Sequence, residues 1–250
     1  MEAAAQVNYK HCASIRLWKT KCEDEGVRML AKFMVPTKTV VCLELLDAGV
    51  TPIGCELIAQ MLHFKNEIGL LVLKLDHNPI GSLGLKHLVQ GVSQNKQLQQ
   101  LSLTYCGIDE HAAESLFEIA IYQYSELKEL DVSGNPIKDA GVIKLFEGLA
   151  CSKSLEKVSA GDCQFNDSKE VLEHLEFCMT SNKKLSKYIL KHNNITDDGV
   201  DFIADQILPN AQHVFEVEIS EWVNEKTMEK LQLALAANKP KKGKKGKKKK

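Results

Sequence analysis

The chain has 250 residues, 44% of them apolar, and a formal net charge of -1. That charge hides a segregation. Residues 239–250 carry nine lysines; removing these from 32 basic residues leaves 23 against 33 acidic, so the body is near -10. Such a body is a poor match to a nucleic-acid groove, which needs clustered Lys and Arg. The longest apolar run, residues 68–73, is too short to span a bilayer.

The chain reads as one short unit repeated. Residues 1–11 fit no unit and are read as a lead-in over the first strand. Units then begin at Cys12, Val40, Leu70, Leu98, Leu127, Leu155, Leu185 and Val214, at intervals of 28 to 30 residues. Each has a strand-like pair, such as Leu43/Leu45, Leu73/Leu75, Leu130/Val132 or Val217/Ile219, followed by apolar residues at helical spacing. In the first unit a helix over 26–34 is expected to stop at Pro36. Helices are expected from Pro52 in the second, over 83–92 in the third, and over 169–179 in the sixth. The small Val158 and Ala160 predict looser packing in that sixth unit. A last helix over 226–236 would close the stack. Five glycines, Gly26, Gly54, Gly84, Gly141 and Gly199, recur near the helix starts, where a side chain would crowd the adjacent coil or helix.

The turn after each strand carries the most regular polar position. Asn78, Asn135 and Asn193 occupy it in alternate units, where their amides can bond buried backbone groups. Cys106 and Cys163 stand there as weaker donors, Thr20 likewise, whereas Ala48 cannot donate. Leu127-x-x-Leu130-x-Val132-x-x-Asn135-x-Ile137 and the Asn-x-Ile-x-Asp-x-Gly runs at 135–141 and 193–199 resemble leucine-rich repeats of the ribonuclease-inhibitor type. The resemblance covers residues 12–237. It implies an α/β solenoid of about eight repeats, a horseshoe with an inner parallel β-sheet and outer helices. The expected division is a lead-in at 1–11, repeats at 12–238 and a disordered lysine-rich tail at 239–250. Proteins of that type include nuclease inhibitors, GTPase-activating proteins, actin-filament cappers and ciliary components, and the resemblance implies work through a protein partner.

Strand alternation puts Ser14/Arg16/Trp18, Cys42/Glu44/Leu46, Val72/Lys74/Asp76, Gln100/Ser102/Thr104 and their equivalents, including Ser159, Gly161 and Ser220, on the concave face. Among these and the next turn residues, Trp18, Leu46, Asp47, Val72, His77 and Tyr105 have the composition of a protein-binding hot spot. Trp18 has a second reading, as a plug under the lead-in. Lys187, Ile189, Lys191 and His192 form a smaller basic candidate for an acidic partner. The tail lysines, Lys239, Lys241, Lys242, Lys244, Lys245, Lys247, Lys248, Lys249 and Lys250, can tether to an acidic surface such as tubulin, or to nucleic acid.

No catalytic constellation, cofactor motif or metal-ligand spacing is found. The eight cysteines fall mostly at core positions, which reads as buried thiols in a reducing cytoplasm. The expectation is a non-enzymatic scaffold or adaptor, cytoskeletal or ciliary by analogy. The alternatives are a nuclear or RNA-associated adaptor and a regulator of a small GTPase. For the last, only two arginines are present, and Arg16 in a strand and Arg28 on a helix do not match the loop arginine of such activators.

Overall fold

A computed structural model describes residues 11–121, 126–220 and 222–239. The lead-in residues 1–10 and tail residues 240–250 lie outside it. Eight strands, β1 (Ser14–Trp18), β2 (Cys42–Leu46), β3 (Val72–Lys74), β4 (Gln100–Ser102), β5 (Glu129–Asp131), β6 (Lys157–Ser159), β7 (Lys187–Ile189) and β8 (Glu216–Glu218), form one sheet in sequence order. Every neighbouring pair is parallel. The helices are α1 (Glu23–Thr37), α2 (Pro52–Leu62), α3 (Gly81–Val92), α4 (Ala113–Ile121), α5 (Lys138–Cys151), α6 (Lys169–Ser181), α7 (Asp197–Phe202) and α8 (Glu225–Asn238). A leucine-rich-repeat solenoid results, with the sheet lining the inside of a horseshoe and the helices outside.

The core follows the repeat. Ile15, Leu43, Leu73, Leu101, Leu130, Val158, Tyr188 and Val217, one from each strand, are all buried. Adjacent coils pair in register, Leu101 beside Leu130 and Leu130 beside Val158. No coil can hide its apolar faces alone, so burial is shared between neighbours.

Polar bonds reinforce this stacking. Asn135 is fully buried. Its Oδ1 accepts from the N–H groups of Cys106 and Ile108 at 2.9 and 3.0 Å. Its Nδ2 donates to the carbonyls of Leu103 and Val132, both at 2.7 Å. Asn78 repeats the pattern on Ala48, Val50, Leu45 and Leu75, and Asn193 on Cys163, Ala160 and Leu190. The cysteine units reach back by a thiol instead: Cys106 Sγ to Leu75 O at 3.2 Å and Cys163 Sγ to Val132 O at 3.5 Å. A second set of asparagines, not picked out from the sequence, sits where helices end. Asn182 Nδ2 donates to Leu149 and Ser152 carbonyls while its Oδ1 accepts from Lys184 and Leu185, and Asn95 acts similarly on Leu62, Gln97 and Leu98.

Several expectations need correction. Pro36 lies inside α1, which runs on to Thr37. The Thr37 hydroxyl donates to Phe33 O at 2.7 Å and Lys38 N donates to Met34 O, so the last turn, which holds the proline, keeps partners for these carbonyls. Packing in the sixth unit is not loose. Phe165 is buried edge-on to Phe146 at 6.3 Å, and Tyr188 is fully buried with its hydroxyl 3.6 Å from Cys178 Sγ. Val158 and Ala160 are themselves fully buried, with Tyr188 beside Val158 in register. On the concave side Cys42, Ser159, Gly161 and Ser220 are buried rather than exposed. The recurrent helix-start glycines do face crowding. A side chain at Gly84 or Gly141 would meet Ile80 or Ile137 of the same coil, and at Gly54 or Gly199 it would meet Asp24 or Asp167 of the coil before.

All eight cysteines are free. Burial pushes the thiols of Cys55, Cys106, Cys163 and Cys178 up to about 12, while Cys151 is exposed. Alkylation of the native protein at neutral pH should therefore label Cys151 first and leave those four unmodified until unfolding, as peptide mass mapping would record.

Candidate concave binding site

The residue two positions after each inward-facing pair is the turn residue that leaves the strand. Lys19, Asp47, His77, Tyr105, Gly134, Asp162 and His192 hold this place in seven successive coils, all with φ between 49° and 72°. For a residue with a Cβ that conformation costs roughly 1–2 kcal/mol. It persists because the next coil takes the N–H: Asp47 donates to Asp76 O, His77 to Thr104 O, Tyr105 to Ser133 O, Gly134 to Gly161 O and Asp162 to Lys191 O, all between 2.8 and 3.0 Å. The left-handed turn throws each side chain onto one rim of the horseshoe.

Chemistry is concentrated where that rim crosses β3 to β6. The His77 and Tyr105 rings stack with centroids 5.1 Å apart and planes 7° from parallel. Tyr105 then extends over Gly134, and its hydroxyl donates to Asp162 Oδ2 at 3.1 Å. Only glycine permits this path, since a Cβ at 134 would lie 2.5 Å from Cδ1 and Cε1 of the ring. The Asp162 carboxylate raises the Tyr105 phenol above its ordinary value, so the hydroxyl stays a donor. Tyr105 is nevertheless 52% exposed. A large ring is thus held in place before any partner arrives.

The other hot-spot residues form a separate group at the first strands. Trp18 is 68% exposed, with Lys19 Nζ 5.3 Å from its ring centre. It is paired in register with Leu46, and Cys42 with Val72. Leu46 and Val72 are half-buried, and Asp47 is exposed. Beside them Glu44 bridges Arg16 at 3.2 Å and Lys74 at 3.4 Å. Arg28 pairs with Glu25 on α1. Along β3 to β6 is a shallow polar recess of about 270 Å³, lined by Lys74, Asp76, Ser102, Asp131 and Lys157 among others.

The basic candidate at β7 has acidic neighbours. Lys187 pairs with Glu216 at 3.2 Å and Lys191 with Glu218 at 2.7 Å. Ile189 is half-buried, and His192 tilts against Trp222 at 5.6 Å. Sequence reasoning did not select Gly134 and Asp162. Its signal was available: a glycine at the turn position between an aromatic and an aspartate two coils apart. Among the described residues no group of three or more His, Cys, Asp or Glu could hold a metal ion, and no helix is long and apolar enough to cross a membrane.

A family model described as Leucine Rich repeat matches residues 126–146 and 181–204. Human NACHT, LRR and PYD domains-containing protein 12 is 29% identical over 202 residues, 79% of this chain and 18% of that protein. Mouse ribonuclease inhibitor is 28% identical over 180 residues, 71% of this chain and 38% of the inhibitor. The chain thus spans less than two fifths of the length of either relative. Internalin C2 from Listeria monocytogenes is similar in structure with a TM-score of 0.49 and 19% identity, covering 84% of this chain and 74% of that one. The horseshoe is a leucine-rich-repeat fold, and the chain is similar in sequence to ribonuclease inhibitors and to NACHT, LRR and PYD domains-containing proteins.

Proposed function

We propose that this chain is a non-enzymatic protein-binding scaffold that takes its partner on the concave rim, with Tyr105 as the central anchor. The observation that carries the reading is a half-exposed aromatic ring fixed by His77 on one side and Asp162 on the other. An ordered aromatic loses little freedom on binding, which is where interface energy concentrates. Trp18 with Leu46 and Val72 supplies a second apolar contact, and Asp47 and His77 the polar rim. Ribonuclease inhibitors among the relatives are consistent with a macromolecular partner.

The split charge supports a second element. The lysine-rich residues 239–250 tether the scaffold to an acidic surface, of which the glutamate-rich tails of tubulin are one form and nucleic acid the competing one. A cytoplasmic, cytoskeletal or ciliary setting goes with the first form and a nuclear one with the second.

The test compares partners captured by the intact protein with those captured by Tyr105→Ala, Trp18→Ala and Gly134→Ala, using Leu83→Ala on the outer surface as control. Tyr105→Ala should weaken the concave partner about thirtyfold or more, the loss expected for a hot-spot residue. Gly134→Ala should weaken it too, because it displaces the ring without deleting it. Equal capture by all five proteins would overturn the rim assignment.

A further inference from the structure

The last strand leaves backbone groups available. Glu216 N donates to Ser186 O, and Glu218 O accepts from Leu190 N at 2.8 Å, so both residues direct their backbone groups at β7. Successive residues of a strand aim these groups to opposite sides, so Val217 turns its N–H and C=O away from β7. β8 is last in strand order, and no described strand takes them. Between β8 and α8 lies an open groove of about 750 Å³, floored by Val217, Met228 and Leu235 and bordered by Glu218, Glu225 and Glu229.

Another part of the sheet shows what such an edge accepts. Glu44 in β2 stands in register between Arg16 of β1 and Lys74 of β3 and bridges both, at 3.2 and 3.4 Å. Glu216 stands in register with Lys187 and binds it at 3.2 Å, while Glu218 binds Lys191 at 2.7 Å. Among the described residues neither glutamate has a second cation on its outer side. Residues opposite one another across a sheet share a face. A residue beside Val217 would therefore point onto the apolar floor, and those beside Glu216 and Glu218 would point to the concave side. Glu225 and Glu229, one turn apart on α8, add negative charge at the mouth of the groove.

We propose that the outer edge of β8 takes an extended segment of a partner protein in which basic and apolar residues alternate. Its backbone pairs with Val217, its apolar side chains cover the groove floor, and its lysines or arginines meet Glu216 and Glu218. Charge and polarity together select this occupant. A second copy of this chain fits worse, since an antiparallel β8–β8 pair centred on Val217 sets Glu216 against Glu218. The chain's own residues 239–250 are lysine, glycine and one proline, with no large apolar side chain for the floor. The edge is separate from the rim around Tyr105 and does not rest on that reading.

The experiment titrates the full chain with a short capped peptide alternating lysine and valine, at low ionic strength, read by fluorescence anisotropy. Two comparison peptides replace valine by serine, or carry N-methyl groups that remove the backbone donors. The lysine–valine peptide should bind about tenfold more tightly than either. Glu225→Gln/Glu229→Gln should weaken it about tenfold while the circular dichroism spectrum stays that of the parent. Amide hydrogen exchange at Val217 should slow about tenfold at saturating peptide. Equal binding of the three peptides would overturn the proposal, as would unchanged exchange at Val217 on adding peptide. So would exchange already slow without peptide, in a dimer through a second copy or in a monomer through the chain's own lysines. Tyr105→Ala should bind the peptide as the parent does, whatever it does to concave capture, which separates this edge from the rim.

Discussion

Asn135→Ala should cost about 3–5 kcal/mol of stability, read from urea unfolding at constant m-value. The substitution leaves two N–H groups and two carbonyls without their side-chain partner in a fully buried turn. A buried unpaired group costs about 1–3 kcal/mol, and the backbone can relax to recover only part of this. Asn135→Asp is the sharper comparison. It keeps the acceptor for Cys106 and Ile108 but turns an electron-rich oxygen on the Leu103 and Val132 carbonyls, so it should be no better tolerated. Cys106→Ala at the equivalent place in the preceding coil removes only weak thiol bonds and should cost about 1 kcal/mol. If Asn135→Ala and Cys106→Ala proved equally mild, the turn amide would not be what joins these coils.

Gly91→Val should destabilise by about 3 kcal/mol, measured the same way. In a helix interior, replacing glycine by a residue with a side chain ordinarily gains up to about 1 kcal/mol from propensity. Here packing reverses the sign. A Cβ on Gly91 in α3 would lie 2.5 Å from the Ala59 carbonyl oxygen in α2. The obstacle is helix backbone, which cannot swing aside like a side-chain tip, so the helices must separate. Gly148 in α5 is placed likewise, 2.6 Å from Phe117 O of α4. Gly69→Ala, with open space around it, serves as the control and should stay within about 0.5 kcal/mol.

The repeat was legible because one physical constraint recurs eight times: each coil must present an inward pair such as Leu101/Leu103 or Leu130/Val132 to its neighbours. Asn78, Asn135 and Asn193 were equally legible, since a polar residue at a fixed buried place must be satisfied by backbone. What stayed hidden depends on pairs of coils. Gly91 and Gly148 look like ordinary helix interruptions until the neighbouring helix backbone is placed against them. Phe165 and Tyr188 bring large buried rings at other positions, Tyr188 from the next coil beside Val158, so a unit-by-unit reading predicts a looseness that the assembled core does not show. Pro36 stays in its helix, and after it Thr37 still donates to Phe33 O and Lys38 to Met34 O. Of the candidate rim, Tyr105 and His77 were readable from composition and alternation. The bond from Tyr105 to Asp162 was not, because it skips a coil and depends on Gly134 being bare.

The asparagine turns also have a direction and a rhythm. Each reaches back to the coil before it, and asparagine alternates with alanine or cysteine along the chain, so the turn clasps fall between the second and third, the fourth and fifth and the sixth and seventh coils, while other side chains such as Asp76, Asp109 and Asn182 tie those couples to one another. The turn clasp accordingly repeats every second coil, a period of about 58 residues, in which one member brings the asparagine and the other the backbone it fastens. Gain or loss of material along such a chain keeps the alternation of clasp and fastened backbone when it comes in pairs of coils and breaks it when it comes singly.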